Sequence, residues 1–134
     1  MQNIRELRVW ERSHLFALEV RRATRTFPRT GYADLKSQLV RAAESIPYNI
    51  VEGCAAATRR EFARFLDISV KSTSEVEYQL LLARDNGVLR PNSYEMLSRE
   101  VVEIRKMLCA LRKTLLEADR SRRKHGDGAR RGSR

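Results

Sequence analysis

Four stretches of this chain repeat apolar residues at steps of three and four, the spacing that keeps side chains on one side of an α-helix. Over residues 7–26, Leu7, Trp10, His14, Ala17, Leu18 and Val20 weight one face until Phe27-Pro28 stops the helix. From Asp34, a second helix places Leu35, Leu39, Ala42, Ala43, Ile46 and Ile50 together, with Gly53 as its stop. A third carries Phe62, Phe65, Ser69, Ser72, Val76, Leu80 and Ala83, the two serines allowing another helix to approach closely. In the fourth, Tyr94, Leu97, Val101, Ile104, Leu108, Leu111, Leu115 and Ala118 alternate the two steps without an error, a seam suited to shallow-angle packing.

Punctuation between these stretches agrees with the count. Thr58 and Glu61 fit a capping box at the start of helix 3, Asn86-Gly87 is a left-handed terminator at its end, and Asn92 with Glu95 predicts the cap of helix 4. Pro47 falls inside the helix 2 pattern. Its ring removes a backbone donor and clashes with the carbonyl four residues back, so a kink or break is expected near residues 43–47. No strand pattern or internal repeat occurs, and the fold class is all-α, an antiparallel four-helix bundle with short connections. Apolar residues outside the principal stripes, among them Val9, Phe16, Ile68, Val70, Leu81, Leu82, Val102, Met107 and Leu116, exceed what one core needs and predict contact with another subunit.

At 134 residues the chain is sufficient for one core. Its formal charge of +10 divides unevenly: residues 121–134 hold six basic residues and one acidic, while residues 1–120 hold 21 and 16. The glycine-bearing tail has no large apolar side chain, so the domain reading is a bundle over 1–120 and a disordered basic tail over 121–134. Cys54 and Cys109 have no ligand or disulfide spacing, and no apolar run reaches the roughly 20 residues of a membrane span. A cytoplasmic protein without cofactor or metal is expected.

Arginine carries most of the candidate chemistry. Arg5, Arg8 and Arg12 form a stripe on helix 1; Arg21, Arg22, Arg25 and Arg29 gather toward its far end. Such rows can follow phosphates, or be a solvated face paired with Glu11 and Glu19. Arg59, Arg60 and Arg64 at the start of helix 3 are more pointed, because positive charge in a first turn opposes the helix dipole. On helix 2, Arg41, Ser45, Asn49 and Glu52 share one face, a polar stripe for a partner or for tying the proline site and a subunit interface. The structural role is favoured. His14 lies on the apolar side of helix 1 and reads as a hydrogen-bonded near-core residue. Trp10 and Tyr48 could stack on bases, but aromatics in a helical stripe more often pack. Glu52 lacks the second acid, histidine or metal that hydrolysis requires, and no phosphate-binding glycine loop is present.

The segments VWERSHLFALEVRRATRTFP, SQLVRAAESIPYNIVEG and EFARFLDISVKSTSEVEYQLLLA together resemble the S23, or intervening-sequence, protein family, encoded within some bacterial 23S ribosomal RNA genes. The resemblance covers about residues 4–115, and residues 41–53 are its most specific part. It implies an up-and-down four-helix bundle forming a homopentamer without enzymatic activity. It also implies distant similarity to the accessory protein of diversity-generating retroelements, hence reverse transcriptase and nucleic acid as partners. After the family's Glu-Gly pair a glycine and an arginine usually follow; here the chain reads Cys54-Ala55-Ala56-Ala57, without that arginine. Asp34 and Lys71 stand where many members have glycine.

Together these features predict a nonenzymatic, self-associating protein that binds RNA, DNA or a ribonucleoprotein through basic surfaces. The alternative is a scaffold for an acidic partner protein, without nucleic acid.

Overall fold

A computed structural model describes residue 3 and residues 7–132, the stretch 127–132 through its backbone alone. Four helices follow one another: α1 Arg8–Thr24, α2 Ala33–Cys54, α3 Arg59–Asp85 and α4 Pro91–Gly132. Each packs on its sequence neighbours and α1 closes against α4, an all-α, up-and-down four-helix bundle.

Helix ends follow local chemistry, with two departures. Thr58 Oγ1 accepts the Glu61 amide at 3.1 Å, capping α3. At the other end Gly87 takes φ +73°; its amide donates to the Arg84 carbonyl, and that of Val88 to Ala83, closing a Schellman turn. The α4 start departs from expectation. Pro91, not the residue after Asn92, opens the helix, and Tyr94 N–H donates to the Arg90 carbonyl at 2.9 Å. Proline suits this first position because its φ is already helical and its missing N–H would have had no partner there.

Gly53 departs too. It lies within α2, which runs on to Cys54, and the capping Ala55 has ordinary right-handed φ −85°. What requires glycine is space: a Cβ at this position would come within 2.6 Å of the Phe62 ring. Gly53 lets α3 sit directly on the end of α2. Ser69 and Ser72 do the same farther along, both buried where α2 and α3 meet.

The core stripes of α2, α3 and α4 largely follow the pattern, from Leu39, Ile46 and Ile50 through Val76 and Leu80 to Leu97, Val101, Ile104 and Leu108, except that on α3 Leu66 is fully buried while the predicted Phe65 is only half-buried. On α1 Ala17 and Val20 are buried as predicted, but the rest of the buried face is Val9, Ser13, Phe16 and Thr24. Val9 and Phe16, read from sequence as surplus, are core; Leu18 is 40% exposed and His14 lies on the open face, stacked on Trp10 at 5.2 Å between ring centroids. The two faces are about one residue apart around the helix, roughly 100°. Val9 and Phe16 together bury more apolar surface than His14 and Leu18 can, which decides the rotation.

α2 runs as one helix through Pro47, so of the kink or break expected there the break does not occur. Beyond residue 120, where composition predicts disorder, α4 also continues unbroken to Gly132. Extending an existing helix adds a hydrogen bond for each residue fixed, without a new nucleus. An Arg123–Asp119 pair at 3.5 Å spans one turn of this extension, yet residues 120–126 are all exposed.

Candidate functional site

The polar stripe of α2 splits into two parts. Asn49 Nδ2 donates to the Ser45 carbonyl at 2.8 Å and to Ser45 Oγ at 3.0 Å, while Ser72 Oγ lies 2.9 Å from Ser45 Oγ across the helix pair. One turn away, Ser69 Oγ donates to the Ile46 carbonyl at 2.9 Å. These bonds clamp α3 onto α2 beside Pro47. They reach the carbonyls of Ser45 and Ile46, not that of Ala43, whose usual donor the proline removes. Arg41 and Glu52 take no part. Arg41 is exposed on a polar groove with Gln38, Glu75 and Gln79, where Gln79 Oε1 is buried without a partner among the described residues.

Between α1 and α2 the surface changes character. An apolar groove of about 340 Å³ has Trp10, His14 and Leu18 on one wall and Pro47, Tyr48 and Val51 on the other. Tyr48 is 64% exposed. The aromatic residues singled out from sequence therefore belong to one continuous surface, which the mistaken rotation of α1 concealed.

The candidate arginines separate by their partners. Arg12 pairs with Glu100 and lies against Met107 Sδ, bridging α1 to α4. Arg21 reaches Glu44 at 2.5 Å and Arg22 reaches Glu19 at 2.5 Å. Arg8 and Arg25 are exposed, and Arg5 lies outside the described residues. On α3, Arg59, Arg60 and Arg64 are exposed with no carboxylate within ion-pairing distance among the described residues. Arg59 shares a cleft of about 430 Å³ with Thr58, Phe62, Asp119 and Arg122, where α4 leaves the bundle. Sequence reasoning missed Arg122 as a site residue because it lay in the expected tail.

Further ion pairs brace α4 on α3. Arg105 Nε donates to Thr73 Oγ1 at 2.9 Å while its guanidinium reaches Glu77, and Arg112 meets Asp67 at 2.5 Å. Of the two thiols, Cys54 is buried and desolvation raises its pKa; Cys109 is exposed. No group of His, Cys, Asp and Glu among the described residues is arranged to hold a metal ion, and no helix there is long and apolar enough to cross a membrane.

Residues 5–110 match the family model of the 23S rRNA-intervening sequence protein. The chain belongs to the 23S rRNA-intervening sequence protein family. The same bundle is found in the crystal structure of a protein of unknown function from the S23 ribosomal protein family of Bacteroides thetaiotaomicron. It is 27% identical, with a TM-score of 0.73, and the alignment covers 78% of this chain and 98% of that one. Comparison with curated proteins finds no match. The family match ends at residue 110, so the arginines of the α4 extension lie outside it, whereas Arg59, Arg60 and Arg64 lie within.

Proposed function

We propose that this intervening-sequence family member is a nonenzymatic, self-associating protein of the cytoplasm that binds nucleic acid through the phosphate backbone. The observation that carries this reading is the distribution of unpaired charge. Nine ion pairs among the described residues cancel nine carboxylates against nine cations, leaving the net +10 on side chains outside those pairs. Exposed arginines concentrated without counter-charges attract polyanions and release condensed counterions on binding.

Self-association is supported by the α1–α2 groove, where Leu18, Tyr48 and Val51 expose adjoining apolar surface beside the half-buried Trp10. A second copy of the chain is the occupant we assign to it, in a ring whose number, from family resemblance, is five. Each added copy multiplies the basic surface offered to one polyanion.

Light scattering tests the assembly: a multiple of 15.6 kDa is expected, and a monomer at micromolar concentration overturns it. Binding is tested by titrating salt against labelled RNA, DNA and polyglutamate. Nucleic acid should bind more tightly than the peptide, with affinity falling steeply as salt rises. Equal binding to all three favours an acidic protein partner instead.

A further inference from the structure

We propose that the nucleic-acid backbone is held at one end of the bundle, in the cleft where α3 begins and α4 projects past it. This rests on the nucleic-acid reading above and specifies where on the molecule it acts.

Geometry singles out this end. Arg59 and Arg122, from helices remote in sequence, line the same cleft of about 430 Å³. Arg60 and Arg64 stand exposed on α3, Arg120 and Lys124 on the extension of α4. Among the described residues none of these six has a carboxylate at ion-pairing distance; Asp119, the acid in the cleft, is held by Arg123. The first half of α4 is different. There Glu95 and Glu103 pair with Arg99 and Lys106, and Glu100 takes Arg12, so charges of both signs alternate. On α1, Arg12, Arg21 and Arg22 are likewise occupied. An arginine already paired must give up its carboxylate to take a phosphate, whereas an unpaired exposed one exchanges only water and counterions.

The chemistry also indicates how the strand is read. Guanidinium groups present planar forks that match two phosphate oxygens at once. The aromatic side chain in the cleft, Phe62, is only 7% exposed and offers no face for a base to stack on. Contact is therefore with phosphodiester groups, and binding is tolerant of sequence.

The test measures fluorescence anisotropy of a labelled single-stranded RNA of mixed sequence with three versions of the full chain. These are the unaltered protein, a double variant Arg59→Ala with Arg122→Ala, and a double variant Arg21→Ala with Arg22→Ala toward the far end of α1, which removes the same charge from two ion-paired arginines. The cleft variant should bind roughly tenfold more weakly, and its log–log salt slope should be shallower by about 1.4, at about 0.7 per lost single-strand phosphate contact. The α1 variant should stay within about twofold. Arg60→Ala with Arg120→Ala repeats the test without altering the cleft lining, and circular dichroism confirms that each variant keeps its helices. If both ends lose affinity equally, charge alone is at work and the localisation is overturned while nucleic-acid binding stands. If the unaltered chain binds neither RNA nor DNA, the functional reading falls and this one with it.

Discussion

Two seams run along α2, and they are built on opposite plans. Toward α3 the contact is made by small residues, Gly53, Ser69 and Ser72, with hydroxyls and Asn49 supplying bonds across and along the pair. Toward α1 the outer edge is lined by Trp10, Leu18, Tyr48 and Val51, which diverge and leave a groove. The first seam is closed within the chain: at Gly53 the Phe62 ring lies so close that an added methyl group collides. The second leaves Leu18, Tyr48 and Val51 exposed, and among the described residues no part of the chain covers them. Close packing gives the bundle its stability, and the open seam is the surface we propose for another copy.

Substitutions can break this contrast from either side. The largest effect is expected from Ser69→Leu, which forces bulk into the closed seam and removes the bond to the Ile46 carbonyl; thermal or urea unfolding should show a loss of about 3 kcal/mol. Gly53→Ala should cost about 2 kcal/mol in the same measurement, despite alanine's better helix propensity, because the Phe62 ring lies in the way. Were it neutral, the glycine would not be setting the approach of α3. On the open seam, Leu18→Asp with Tyr48→Asp should leave the unfolding free energy within about 0.5 kcal/mol, since both side chains are already substantially exposed. Sedimentation velocity should nevertheless show at least tenfold weaker self-association, equivalent to about 1.4 kcal/mol. Unchanged assembly would move the interface elsewhere. The smallest effect concerns the thiols. Maleimide should label Cys109 within minutes and leave Cys54 unmodified in the folded protein. Because burial raises the Cys54 pKa, the folded chain keeps that proton at pH values where the unfolded chain has lost it; its contribution to stability is complete below the unfolded thiol's pKa and declines as pH rises beyond it.

Much of the bundle was legible from residue spacing. Thr58 and Gly87 mark the bounds of α3 because capping and left-handed turns depend on a few neighbouring atoms. Legibility failed on α1, where two apolar stripes compete and a periodic pattern gives angular spacing without saying which angle faces inward. Choosing Trp10, His14 and Leu18 placed them toward the core and hid the groove they form with Pro47, Tyr48 and Val51. The arginines presented a different difficulty. Their positions were evident, but whether each meets a carboxylate depends on residues such as Glu100 and Glu44 on other helices.

The sequence alone therefore determined the number of helices, the faces buried on α2, α3 and α4, and the net charge, all of which follow from local periodicity and composition. Tertiary structure decided the rotation of α1, the reason for Gly53 and the division of arginines into paired and unpaired. Each of these depends on distances between residues far apart in the chain, which one helix's pattern does not contain.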